Sequence, residues 1–102
     1  MSQWYSIAQK NDLKPGQGIQ VPLEEKILAV FNIEGKFYAM DDTCTHAGAS
    51  LAEGAIAGGV VTCPWHGATF DIVTGAALSD PAYEGVKTYN VKVEGDEVFV
   101  EI

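Results

Sequence analysis

Apolar and polar positions alternate in short runs along most of the chain, and glycine or proline punctuates them. The end of the chain is clearest. Val91 and Val93 alternate with Lys92 and Glu94, and Val98 and Val100 alternate with Glu97, Phe99 and Glu101, on either side of Gly95-Asp96. A period of two is that of a half-buried antiparallel strand, so residues 87–94 and 97–102 are predicted to form a hairpin. Residues 26–33 (KILAVFNI) are mostly apolar and predict a largely buried strand, which Glu34-Gly35 turns back into residues 36–40. Further strands are expected at 4–8, at 17–23 after the Pro15-Gly16 turn, within 55–62 as a hairpin about Gly58-Gly59, and at 68–73, ending at Thr74-Gly75. Trp4, Tyr5, Phe31, Phe37 and Tyr38 are expected as core or half-buried strand residues.

No segment keeps a helical period over three turns. One helical turn within 45–52 is admissible, although Gly48 counts against it. Short strands with glycine-rich turns predict an all-β fold, an antiparallel sandwich or small barrel. Two segments resist strand assignment, 41–54 and 63–67, and both cysteines and both histidines of the chain lie in them. Irregular loops of that length in a small domain are usually functional.

The length of 102 residues fits one domain, 1–102. Fourteen acidic and six basic residues give a formal charge of −8, and every basic residue is lysine. Nucleic acid and anionic membranes call for a cationic face, so neither is expected as a partner, and a protein with a basic patch is. No apolar stretch approaches the ~20 residues of a membrane span, and Met1-Ser2-Gln3-Trp4-Tyr5 has no signal-peptide character. A cytoplasmic location is expected, where two cysteines more often bind metal or do redox chemistry than form a structural disulfide. Gly16-x-Gly18 lacks a third glycine and a following helix, so it is no dinucleotide fingerprint.

The chemistry is concentrated in Cys44-Thr45-His46 and Cys63-Pro64-Trp65-His66, with sixteen residues between His46 and Cys63. Each pair brings a sulfur and a nitrogen donor within reach of one metal atom, and together they make an S2N2 set. Glycines after each pair let the backbone turn closely around a bulky group, and Pro64 stiffens the second loop. A structural zinc site uses the same donors, but zinc fingers group cysteine with cysteine and histidine with histidine. A Cys44–Cys63 disulfide suits a secreted protein better. A cysteine nucleophile with a histidine base leaves the second pair unexplained.

The flanks Cys-Thr-His-Ala-Gly and Cys-Pro-Trp-His-Gly-Ala-Thr-Phe-Asp resemble the Rieske [2Fe–2S] motif. The likeness runs over nearly the whole chain, through the Trp4-Tyr5, Val30-Phe31 and Phe37-Tyr38-Ala39 strands and the Val93-Glu94-Gly95-Asp96 hairpin. It implies a Rieske-like fold with a cluster-binding subdomain of two ligand loops, about 41–54 and 63–67. It implies one [2Fe–2S] cluster, with Cys44 and Cys63 on one iron as thiolates and His46 and His66 on the other as neutral imidazoles. Trp65 then reads as a shield against water or as a plain core aromatic. Asp80-Pro81-Ala82 reads as a covering proline loop or an ordinary turn. Asp41 and Asp42 read as part of a docking face for a basic partner or as a solvated loop.

In a Rieske centre two ferric ions, two sulfides and two thiolates sum to zero, so an added electron meets less negative charge than in a four-cysteine cluster. High-potential family members add a cysteine in each loop and place Ser and Tyr hydroxyls on the cluster sulfurs. The matching positions here are Ala49 and Trp65, then Ala68 and Phe70, and none of the four can play those parts. A potential near the bottom of the Rieske range, about −150 mV, is expected. The chain has no histidines to spare for a mononuclear oxygenase iron and no nicotinamide or flavin motif. The resemblance is to the ferredoxin components of bacterial ring-hydroxylating dioxygenase systems. It implies a non-catalytic one-electron carrier, loaded by a flavin-containing ferredoxin reductase and unloaded by a terminal oxygenase, and a carrier this small is expected to be a monomer. A small subunit of a nitrite reductase-type assembly, or a zinc-stabilised β domain, is the alternative.

Overall fold

A computed structural model of the chain describes residues 3–43, 50–64, 67–78 and 85–102. In chain order the strands among them are β1 (Trp4–Gln9), β2 (Gln17–Leu23), β3 (Lys26–Ile33), β4 (Lys36–Asp41), β5 (Ala55–Ala57), β6 (Val60–Thr62), β7 (Thr69–Asp71), β8 (Thr88–Glu94) and β9 (Glu97–Glu101). Short 3₁₀ turns occupy Lys10–Asp12 and Leu51–Glu53. The strands form a curled six-stranded sheet in the order β1-β9-β8-β4-β3-β2 and a three-stranded sheet in the order β5-β6-β7. Every pairing is antiparallel, so the all-β expectation holds.

Hairpin turns fix the registers. Glu34 and Gly35 both have positive φ, 53° and 92°, as do Gly58 and Gly59, 57° and 78°. Two left-handed residues in a two-residue loop match the strand twist of a tight hairpin. The buried Asn32 side chain braces the first of these turns: its Nδ2 donates to the Leu13 carbonyl (2.8 Å) and its Oδ1 accepts from the Gly35 amide (2.8 Å).

The uniform apolarity of β3 has a simple cause, because this strand is buried on both faces. Ala29 and Phe31 join Met40, Leu51, Ala52, Val61, Cys63, Ala68, Phe70, Ile72 and Val86 in one cluster. Leu28 and Val30 join Leu13, Phe37, Ala39, Val98 and Val100 in the other. The first cluster carries the small sheet on the large one, and the second fills the inside of the curl. Close packing explains Gly18 as well: a Cβ there would lie 2.7 Å from the Phe31 ring.

Three expectations need correction. The strand predicted at 68–73 is only Thr69–Asp71. The Asp71 carboxylate accepts from the amides of Val73 (2.8 Å) and Thr74 (3.0 Å), and this local bonding turns the chain before a longer strand can form. Trp4 is 40% exposed rather than half-buried, its ring covered by the Lys92 ammonium 4.5 Å from its centroid. The alternation read in 87–94 does not bury Val93, which is also 40% exposed near the hairpin end. Within 45–52 only residues 50–52 are described, and Leu51 and Ala52 there open the 3₁₀ turn Leu51–Glu53.

Candidate metal centre

The first candidate loop rises from the end of β4 and returns before the Leu51–Glu53 turn. Its stem is closed at several points. Thr43 bridges Ser50, and the Leu51 amide donates to the Asp42 carbonyl at 2.8 Å. The Asp42 carboxylate is only 2% exposed. Its Oδ1 accepts from Ser50 Oγ (2.8 Å) and from the Ala52 amide (3.0 Å), and its Oδ2 accepts from Gln20 Nε2 (2.7 Å). Hydrogen bonds to a carboxylate contribute roughly 1.5–3 kcal/mol each, so this one side chain does much to hold the stem shut.

Asp41 also has a partner. Tyr89 Oη on β8 donates to its Oδ1 at 2.6 Å, and the Asp41 amide donates to the Lys87 carbonyl. Burial pushes the Tyr89 phenol well above its ordinary range, and the hydrogen bond to Asp41 and that carboxylate's negative charge add to the shift. Asp42 is thus not the solvated loop residue that a loop Asp-Asp suggests, and Asp41 is half-buried against Tyr89. The sequence gives no sign of this, because Gln20, Ser50 and Tyr89 reach the pair only through tertiary folding.

The second loop starts where β6 ends. The Cys63 amide donates to the Ala68 carbonyl at 2.7 Å, directly beyond the Thr62–Thr69 pair, and Gly67 takes a φ of 75°. This closes a tight loop that a β-strand could not make. Cys63 itself is buried (1% exposed) in the cluster that contains Leu51, Ala52, Ala68 and Phe70. The feet of both loops therefore meet in one apolar cluster. Gly54, next to the first stem, packs so tightly on β6 that a Cβ would run into the Thr62 carbonyl oxygen. Residues 77 and 78 return to the same place: Ala77 bridges Phe70, and the Leu78 amide donates to the Thr69 carbonyl at 2.8 Å.

Of the four candidate ligands, Cys63 is placed as described, whereas Cys44, His46 and His66 lie outside the described residues. So do Ala49, Trp65 and Asp80-Pro81-Ala82. Ala68 and Phe70 are fully buried beside Cys63 and bring no hydroxyl to it. A thiol in an apolar pocket, with the stem of the first loop, which carries Cys-x-His, anchored on the same cluster, fits a sulfur-ligated metal group shielded from water.

The fold, with the feet of two loops meeting in one apolar cluster, defines a small antiparallel β protein, and comparison with known proteins gives its family. The Rieske [2Fe–2S] domain matches residues 3–90, and the chain belongs to that family. It is 36% identical over 99 residues to the ferredoxin component of a naphthalene 1,2-dioxygenase system from Pseudomonas aeruginosa, covering 97% of this chain and 95% of the relative. Among solved structures it resembles the Sphingomonas yanoikuyae B1 ferredoxin, with a TM-score of 0.92, 36% identity and coverage of 98% and 99%. It also matches a chain of the complex of reduced oxygenase and oxidized ferredoxin in carbazole 1,9a-dioxygenase, with a TM-score of 0.90, 38% identity and coverage of 95% and 91%. Membership of the family implies a [2Fe–2S] cluster. No helix among the described residues is long and apolar enough to cross a membrane.

Proposed function

We propose that the chain is a one-electron carrier of an oxygenase system, one Rieske domain holding a single cluster through Cys44, His46, Cys63 and His66. Similarity to a dioxygenase-system ferredoxin over nearly the full length of both chains carries this reading. The same similarity favours it over a nitrite reductase-type small subunit, and the family match favours it over a zinc-stabilised domain.

When bound, the cluster supplies reversible one-electron chemistry. The residues of the chain do the rest. Cys44 and Cys63 would supply thiolates, placing negative charge on one side of the site, and His46 and His66 would supply neutral nitrogens on the other. Leu51, Ala52, Ala68 and Phe70 keep water from the protein side of Cys63. Since Ala68 and Phe70 donate no hydrogen bond, less stabilises an added electron, and the potential is low, about −150 mV.

A flavin-containing reductase delivers the electron and a terminal oxygenase takes it. The carrier works as a monomer in the cytoplasm, and its charge of −8 steers it to basic patches on both partners. Anaerobically purified protein should be red-brown, bleach with dithionite and hold iron and acid-labile sulfide in equal amounts. Electron flow from a flavin reductase to a ring-hydroxylating oxygenase should depend on adding it. Colourless protein containing zinc, or loaded protein that supports no transfer, would overturn the proposal.

A further inference from the structure

The buried carboxylate beside the first ligand loop has no part in the function proposed above. Asp42 is the one buried carboxylate among the described residues. All three of its side-chain partners donate: the Ser50 hydroxyl, the Ala52 amide and the Gln20 amide. That is how an ionised carboxylate is satisfied. Among the described residues no lysine forms an ion pair with Asp42. A carboxylate so bonded sits inside the protein, where salt screens its charge little. Asp42 also stands two residues before Cys44, so the covalent chain keeps the two Cα atoms within ~7 Å of each other.

We propose that Asp42 is the residue whose charge holds the reduction potential of the site low, while its hydrogen bonds hold the stem of the first ligand loop shut. The inference rests on the assignment of Cys44 as a ligand. Reduction adds one electron, and with it one negative charge, to a site that already has this buried charge beside it. No bond is made or broken. At an effective dielectric of about 20, a like charge roughly 12 Å away shifts an equilibrium by about tenfold. The loss of hydrogen bonds at Ala68 and Phe70 is thus one cause of a low potential, and Asp42 is a second, independent one.

Charge and positioning separate in two variants. Asp42→Asn keeps an acceptor for Ser50 and Ala52, and the Gln20 amide can turn over to present its oxygen to the new amide. The ties to the stem survive and the charge is gone. Ser50→Ala keeps the charge and removes one of its donors. Each protein is analysed for iron and sulfide, its visible and circular dichroism spectra are recorded, and its potential is measured by mediated titration with dithionite.

Asp42→Asn is expected to load fully and keep the wild-type spectra. Its reduction equilibrium should favour the reduced form about tenfold more, ~59 mV for one electron, and the difference should persist in 1 M salt. Ser50→Ala should move the other way, to a lower potential. Glu53→Gln removes an exposed charge near the same stem, and its effect should vanish in salt.

A fully loaded Asp42→Asn with an unchanged potential overturns the inference. If Asp42→Asn does not load, Ser50→Ala decides it: a fall in potential supports the proposal, and an unchanged or raised potential overturns it. Wild-type protein without iron and sulfide would instead overturn the proposed function, and this inference with it.

Discussion

Tyr89 on β8 donates its phenol proton to Asp41, the last residue of β4, across 2.6 Å. The Lys26 and Lys87 ammonium groups lie 5.7 and 5.2 Å from the centroid of the same ring. The contact ties the strand that leads into the first ligand loop to its sheet neighbour.

The first prediction concerns this phenol. Its pKa is raised in the folded protein by burial first and by Asp41 second. An unfolded tyrosine loses its proton near pH ~10. Above that pH the unfolded state therefore binds fewer protons than the folded one, and stability falls as pH rises. Below it both states hold the proton, and the contribution is intact. Phenolate absorbance should show a wild-type tyrosine resisting ionisation through pH 10–11. Tyr89→Phe should remove that late phase and lessen the alkaline loss of stability.

A second prediction contrasts two glycines. A Cβ at Gly54 meets the Thr62 carbonyl oxygen, whereas one at Gly58 meets nothing within 4 Å and suffers only from a φ of 57°. Gly54→Ala should cost about 3 kcal/mol by urea unfolding and Gly58→Ala about 1 kcal/mol. Only the first should also lower the iron content, because Thr62 leads straight into Cys63.

Asn32→Ala removes an acceptor and a donor at a buried position and leaves the Leu13 carbonyl and the Gly35 amide without that partner. A loss of about 2–3 kcal/mol is expected in chemical denaturation. Asn32→Asp should cost a comparable amount, since it keeps the acceptor but not the donor to Leu13.

Cys63→Ser should give colourless protein, because a buried hydroxyl is a poor replacement for a thiolate, and metal binding contributes to folding free energy. Thermal unfolding should occur at lower temperature than in the loaded wild type. A variant with an unaltered Rieske spectrum would contradict the ligand assignment.

The hairpins were legible because their turn chemistry is local. Glu34-Gly35, Gly58-Gly59 and Gly95-Asp96 each announce a reversal, and the structure turns at all three. The double burial of β3 also showed, as an unbroken apolar run. The early end of β7 did not, since it depends on the Asp71 side chain capturing two amides rather than on any change in hydrophobicity. Asp42 is the sharpest case. In sequence it is a carboxylate in a loop, with nothing to mark it as buried. Its partners Gln20 and Ser50 are polar residues 22 and 8 positions away, and only the folded chain brings them together.

Strand β3 walls off two separate apolar compartments, and that fact governs how the molecule can come apart. Loosening the β1–β9 edge disturbs Leu28 and Val30, and the same backbone passes the disturbance to Ala29 and Phe31 beneath the loops. Amide protons of residues 28–32 should then exchange last of all, in step with global unfolding, in whichever region the first opening occurs.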